Sequence, residues 1–261
     1  MRLTSFDHFI HKIVRAAGSS LKRNFGVVTT GQAKTSQHDI VTAADYEAEH
    51  ILISAIRKKF PYHHILSEES GALAGKSRYT WVIDPLDGTA NFAREIPLFG
   101  VIVAFLKDNT VTHGAIYDPI HDQMYYAKKG QGSYCNGKRI HVSTESQLDE
   151  MVVMISNVRM RSSLEQFAHW RSLLALYTTY YKAYGSAAQS MMALASGKID
   201  AYIIGGAYPW DISAGALLVK EAGGKINHLD GRTWDWRENN QHILAANPKL
   251  HAKLARLLIQ R

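Results

Sequence analysis

The sequence predicts an α+β fold, on three observations. Apolar residues recur at helical spacing over Ser5–Asn24 and again over Thr42–Phe60. Short strand-like runs separated by turn residues follow from Thr80 to Gly137, in the manner of an antiparallel sheet. From Val152 onward strand and helix patterns alternate instead.

In the first helix Phe6, Phe9, Ile10, Ile13, Val14 and Ala17 recur among Asp7, His8, His11 and Lys12, an amphipathic pattern unlike a signal peptide. The second opens at Asp39-Ile40-Val41-Thr42-Ala43-Ala44-Asp45 and turns Ile51, Leu52, Ala55, Ile56 and Phe60 to one face. Thr42 suits its N-cap and Asp45 its N3 position, a capping box with Asp in place of Glu. Capping therefore accounts for Asp45 as fully as a chemical role would. The strand Thr80–Asp84 follows, then strands Phe99–Leu106 and Val111–Tyr117 joined across Lys107-Asp108-Asn109. Met124–Ala127 continues the sheet, and Asn136-Gly137 is a hairpin turn in which both residues tolerate φ > 0.

The second region reads as strand Val152–Ser156, helix Ser163–Leu176, helix Ala187–Ala195 ended by Gly197, and strand Ile199–Ile204. Helix Asp211–Ala222, strand Ile243–Ala245 and helix Pro248–Ile259 complete it. Residues 1–145 are expected to form an α+β subdomain carrying most of the acidic stations, and 146–261 an α/β subdomain contributing Asp211. Ser143–Ser146 lies in the polar connector between them, and the cleft between the two is the expected site.

A chain of 261 residues buries a substantial core, as one large domain or two. Its 46% hydrophobic and 20% charged residues are those of a globular protein, and no apolar run reaches the length of a membrane span. Cys135 is alone, so an intrachain disulfide is excluded and a cytoplasmic setting expected. The net charge is +7, but Arg57-Lys58-Lys59, Lys128-Lys129 and Lys138-Arg139 are short runs among acids. That pattern favours a surface steering anions over a nucleic-acid groove. The 13 histidines show no HExxH or Cys/His zinc spacing. Tyr177, Tyr180, Tyr181 and Tyr184, with Met191-Met192, read as core or dimer surface.

The chemistry concentrates at Asp84-Pro85-Leu86-Asp87-Gly88-Thr89, directly after the apolar run Trp81-Val82-Ile83. Two carboxylates and a hydroxyl on one turn suit a hard divalent cation, and Gly88 lets backbone approach an anion. Asp-Pro and Asp-Gly are also ordinary turn formers, so the string alone leaves a plain loop open. Three further acidic stations stand at element ends: Ser67-Glu68-Glu69-Ser70 after Ile65-Leu66, Asp45, and Pro209-Trp210-Asp211. Each has a local structural explanation; four together point to metal-assisted phosphate chemistry.

These residues resemble the inositol monophosphatase family. The likeness rests on Lys34, Asp39-x-Val41-Thr42-x-x-Asp45, Glu68-Glu69-Ser70, Trp81-Val82-Ile83-Asp84-Pro85-x-Asp87-Gly88-Thr89-x-Asn91-Phe92 and Trp210-Asp211, in the family's order. Tyr134 to Lys138, Gly185-Ser186-Ala187-Ala188, Ser196 to Tyr202 and Glu221 to Gly224 also look like it. The resemblance implies a Mg²⁺-dependent, Li⁺-sensitive phosphomonoesterase with a layered αβαβα sandwich of the inositol monophosphatase and fructose-1,6-bisphosphatase type. It implies metal ligation by Glu68, Asp84, Asp87, Asp211 and the Leu86 carbonyl, with two or three Mg²⁺ per site. Asp45, Glu68 and Thr89 would act on the attacking water, and Gly88 and Thr89 would contact phosphate. Asp87, Gly185, Ser186, Ala187, Ile204 and Asp211 would border the substrate, with Lys34 and Glu69 in support. The partners implied are a small phosphorylated substrate and a second copy of the chain.

In inositol phosphatases of this family an acidic residue before the Trp-Asp pair bonds ring hydroxyls. Alignment on Asp200-Ala201-Tyr202 and Trp210-Asp211 puts Ile204 there, and isoleucine accepts no hydrogen bond. Tyr202, Gly205, Gly206 and Tyr208 then predict a more open or aromatic mouth. Fructose bisphosphate, histidinol phosphate and nucleotide 3′-phosphate remain competing substrates. A bisphosphate would need a second cationic pocket, for which Arg159, Arg161, Lys182 and Lys198 are the candidates. A regulatory protein binding RNA or protein on the same fold is the alternative of another class.

Overall fold

The computed structural model describes residues 3–27, 32–33, 40–41, 43–157 and 164–259. Helix α1 (Ser5–Asn24) opens with a capping box in which Thr4 Oγ1 accepts from Asp7 N and the Asp7 carboxylate accepts from Thr4 N at 2.7 Å. Two short strands, β1 (Gln32–Ala33) and β2 (Ile40–Val41), pair antiparallel before α2 (Ala43–Lys59). The expected N-cap Thr42, together with Lys34 and Asp39, lies outside the described residues.

An eight-stranded sheet follows from β3 (His64–Ser67), β4 (Gly71–Leu73), β5 (Tyr79–Asp87), β6 (Gly100–Lys107), β7 (Thr110–Asp118), β8 (Gln123–Lys128), β9 (Gly132–Cys135) and β10 (Lys138–Ile140). Its order is β10-β9-β8-β7-β6-β5-β3-β4, and the only parallel neighbours in it are β3 and β5. The hairpin turns fall where expected, with positive φ at Asp108 (49°), Asn109 (62°), Asn136 (46°) and Gly137 (79°), the signature of type I′ turns. A single helical turn, α3 (Thr89–Phe92), leaves β5.

The second half gives β11 (Val153–Asn157), α4 (Leu164–Ala175), β12 (Tyr181–Lys182), α5 (Ala187–Ala195), β13 (Ala201–Ala207), α6 (Pro209–Glu221), β14 (Lys225–His228), β15 (Gln241–Ala246) and α7 (Pro248–Ile259). The strands form a mixed sheet in the order β12-β11-β13-β15-β14. The sequence pattern did not reveal β12 or β14, because two- and four-residue strands carry too little periodicity.

Three apolar clusters fix the layers. Ile10, Val14 and Leu21 of α1 and Leu52 and Ile56 of α2 pack on Trp81, Ile83 and Val103 of the large sheet. The other face of that sheet shares a cluster with α5, α6 and the small sheet, through Val82, Ile102, Met191, Leu218, Tyr202 and Ile243. The outer face of the small sheet packs on Trp170 and Leu174 of α4 and on Leu250 and Leu254 of α7. The result is the expected αβαβα sandwich, with α5 and α6 as its middle layer. Met191 and Met192 are core, whereas Tyr177 and Tyr180 stand exposed beside Leu176. Among the described residues no helix is long and apolar enough to cross a membrane.

Candidate active site

Local chain geometry brings the carboxylates together. On a regular strand, side chains three apart point to opposite faces, which would separate Asp84 from Asp87. Strand β5 carries a bulge instead: Asp84 faces Ile102 and Asp87 faces Gly100, so one extra residue lies on the β5 side. Pro85, which lacks a donor for the ladder, sits in that irregularity, where proline is tolerated within a sheet. The motif is thus the bulged end of a strand, longer than the expected Thr80–Asp84. The Asp84 carboxylate accepts from Leu86 N at 3.0 Å, and Leu86 is itself buried.

Gly88 follows with φ 91°, and a Cβ there would lie 2.8 Å from the Leu98 carbonyl oxygen, so both conformation and space demand glycine. Thr89 Oγ1 lies 3.1 Å from an Asp45 carboxylate oxygen and 3.0 Å from the Leu86 carbonyl oxygen. Asp45 is buried in the first turn of α2, so this contact ties the helix to the end of β5. The parallel pairing of β3 with β5 sets Ser67 beside Ile83, and Glu68 N donates to the Ile83 carbonyl at 3.3 Å. Glu68 therefore leaves its strand next to Asp84. Glu68 and Glu69 are both half-buried.

Asp211 comes from the middle layer. Helix α6 begins two residues earlier than expected, with Pro209 in its first turn, and the Asp211 carboxylate accepts from Tyr208 N at 2.7 Å. The capping explanation for Asp211 holds, and the residue also reaches the cluster: ligand oxygens of Asp84, Asp87 and Asp211 all lie within 4.8 Å of one another. All three residues are buried.

Helix α5 holds Asp87. Ser186 caps that helix and its hydroxyl donates to the Asp87 carboxylate, which also accepts from Ala187 N at 3.0 Å and Ala188 N at 2.9 Å. A helix N-terminus favours a negative charge there. Even so, burial pushes the Asp87 pKa up to about 6, against the pull of those donors, and the charge of Glu68 pushes the same way. Buried carboxylates this close to one another call for a proton or a cation, and three oxygen donors from three side chains suit a hard divalent ion.

Of the expected substrate-side residues, Ser186 and Ala187 direct their donors at Asp87, and Gly185 (φ 66°) packs against the Asn91 side chain. Asn91 joins the two halves by donating to the Leu98 and Tyr184 carbonyls at 2.7 and 2.6 Å. Ile204 has no exposed surface and lies in the core between the sheets. The predicted open mouth needs correction: Tyr202, Gly205 and Gly206 are buried as well, because β13 is the central strand of its sheet. Tyr202 donates to or accepts from Ser156 Oγ at 2.7 Å, and burial together with the charges of Asp87 and Asp211 raises its pKa. Tyr208 is half-buried and stacks on Trp210 at 5.0 Å. Lys182 and Lys198 are exposed, and Arg159 and Arg161 lie outside the described residues. The sequence reading missed Glu49, although it falls one helical turn after Asp45, a spacing that puts both on one face of α2.

The sequence model of the inositol monophosphatase family matches residues 2–261. The chain is 31% identical over 250 residues to an inositol-1-monophosphatase of Bacillus subtilis, covering 95% of this chain and 94% of that one. It is 33% identical over 242 residues to the Nus factor SuhB of Escherichia coli, covering 92% and 90%. The extragenic suppressor protein SuhB of Bartonella henselae superposes with a TM-score of 0.92 at 29% identity, over 98% of this chain and 99% of that structure.

Proposed function

The chain belongs to the inositol monophosphatase family and is a phosphatase; from that premise we propose that it hydrolyses a small phosphorylated alcohol with Mg²⁺, by direct attack of water. The observation that carries this reading is the convergence of Asp84, Asp87 and Asp211, three buried carboxylates from two separate segments, on one point. Glu68, whose charge acts on Asp87, and the Leu86 carbonyl complete the proposed ligand set, for two or three ions per site. When bound, Mg²⁺ lowers the pKa of water, neutralises the phosphate dianion and steadies the leaving alkoxide.

The side chains do the rest. Asp45 and Thr89, joined at 3.1 Å, orient the attacking water, with Glu68 beside them. Gly88 and Thr89 offer backbone N–H groups to the phosphate oxygens, on a turn whose positive φ at Gly88 suits glycine. Helix α5, through Ser186, Ala187 and Ala188, fixes the rotamer of Asp87, while Tyr208 N fixes Asp211. Phosphoryl transfer asks mainly for positioning and charge neutralisation, so no nucleophilic side chain and no phosphoenzyme are involved. Lys34 and Glu69 support the ligands in this scheme. Gly185 borders the substrate side in this scheme, while Ile204, buried in the core, leaves the position of the acidic acceptor apolar and gives inositol 1-phosphate no special claim.

The enzyme is proposed to act in the cytoplasm as a homodimer, with Leu176, Tyr177 and Tyr180 (79, 39 and 50% exposed) as the apolar face that a second copy covers. A regulatory role beside catalysis is a second reading, favoured by the relative named as a Nus factor and by the net charge of +7. The test is phosphate release from inositol, sugar, histidinol and nucleotide phosphates, with Mg²⁺, with EDTA and with added Li⁺. Release that needs Mg²⁺ and falls with Li⁺ is expected. Metal-independent release from every ester contradicts the proposal, and no release combined with salt-sensitive RNA binding favours the regulatory reading.

A further inference from the structure

Glu49 lies on α2, one turn beyond Asp45, and is 5% exposed. No lysine, arginine or histidine among the described residues pairs with it. Its carboxylate is instead filled by donors from a single turn: Ser67 Oγ donates to Oε1, as does Ser70 N at 2.9 Å, and Ser70 Oγ donates to Oε2 at 2.6 Å. Ser67 ends β3 and Ser70 precedes β4, so these bonds grip both ends of the four-residue turn that carries Glu68 and Glu69.

We infer that Glu49 is a positioning residue for the metal site, holding the Glu68 carboxylate in register with Asp84; the inference rests on the metal-site reading above. A turn with two adjacent carboxylates tends to swing into water, where both are solvated and apart. The backbone bond from Glu68 N to the Ile83 carbonyl, one tie on this turn, is long, at 3.3 Å. Three bonds to one buried anion hold it at both ends, and charge-assisted bonds are about twice as strong as neutral ones. The same helix face thus serves two segments of the site: Asp45 meets Thr89 beyond β5, and Glu49 meets the turn beyond β3. Groups that orient metal ligands in this way typically govern affinity by 10- to 100-fold without touching the ion. Asn or Gln in place of Glu49 supplies one acceptor oxygen and adds an NH₂ group that faces donors.

The test is Mg²⁺ titration by calorimetry on wild type, Glu49→Gln and the pair Ser67→Ala/Ser70→Ala, with the Mg²⁺ dependence of phosphate release measured alongside. Glu49→Gln is expected to weaken Mg²⁺ binding about 10-fold or more. The concentration of Mg²⁺ for half-maximal rate should rise in step, while the rate at saturating Mg²⁺ stays within a few-fold of wild type. The serine pair, which keeps the buried charge but removes two of its donors, is expected to shift the same quantities by a smaller factor; it also serves if Glu49→Gln does not fold. Unchanged Mg²⁺ affinity in a folded Glu49→Gln or serine-pair variant overturns the inference. Wild type that binds Mg²⁺ without hydrolysing any ester would sink the phosphatase chemistry, and the titration would still judge Glu49. Wild type that binds no Mg²⁺ overturns both.

Discussion

Two buried aspartates, one in each working region of the molecule, make the same number of close hydrogen bonds and end with opposite character. Asp7, 0% exposed between α1 and the large sheet, accepts from Thr4 N, Thr4 Oγ1 and Tyr126 OH at 2.7, 2.9 and 2.7 Å. Asp87, 8% exposed at the end of β5, accepts from Ser186, Ala187 and Ala188. Burial pushes both pKa values up and the donors pull both down, yet Asp7 finishes below the usual carboxylate range and Asp87 at about 6. The sign of the neighbouring charge differs: Lys128 stands 3.7 Å from Asp7, whereas Glu68 repels Asp87. One region is a finished piece of stability. The other gathers carboxylates within 4.8 Å of one another around an Asp87 whose pKa stays raised, which is the form a cation site takes.

The comparison can be broken at either end. The largest effect is expected from Asp84→Asn, which should lower the rate at saturating Mg²⁺ on the order of 10³-fold, since metal-held charge stabilisation is worth several kcal/mol. Steady-state phosphate release reads it, and near-normal turnover would break the metal-site half of the comparison. Asp7→Ala should leave that rate near wild type and lower stability by about 3 kcal/mol, because Tyr126 and Lys128 lose their buried partner. Denaturant unfolding measures it.

The charge environment of Asp7 also sets a pH dependence. His113, 3.5 Å from Asp7, has its pKa lowered to about 4, by burial first and by Lys128 in addition, against the pull of Asp7. The unfolded chain binds this proton near pH 6.5 and the folded chain only near 4, so stability is full above 6.5 and declines as pH falls between those values. His113→Gln should remove on the order of 2 to 3 kcal/mol of that decline, read from unfolding at pH 7 and at pH 4.5. The smallest effect is that of Tyr126→Phe, which deletes one bond to a charged acceptor and should cost about 1.5 kcal/mol. An equal cost from Tyr126→Phe and Asp7→Ala would mean that Lys128 and Thr4 add nothing.

The sequence announced much of this arrangement, and what it left out has a common cause. The amphipathic spacing of α1 and α2, the turn pairs Asp108-Asn109 and Asn136-Gly137, and the acidic motif after Trp81-Val82-Ile83 are local signals, so they were legible. The bulge that carries Asp84 and Asp87 to one side was not, because Pro85 reads equally as a turn former. Nor was the hold on Asp87, whose donors lie about 100 residues downstream and meet it only when α5 packs as the middle layer. Ile204 shows the same limit from the other side. Its position before Trp210-Asp211 marked it for the substrate, while its place on a central strand buries it. Glu49 has no motif around it, only a one-turn spacing from Asp45 and a contact across β3.

The measurement that tests the central claim most directly is thermal unfolding of wild type and Asp84→Asn, each in Mg²⁺ and in EDTA. If the acidic cluster is built for a cation, Mg²⁺ at a hundredfold excess over Kd should stabilise wild type by about 2.7 kcal/mol, a rise on the order of 5 °C in Tm. Asp84→Asn should show little of that rise and should unfold in EDTA at or above the wild-type temperature, since it removes one of three mutually repelling charges. Equal Mg²⁺ responses in the two proteins, or none in wild type, would contradict the account.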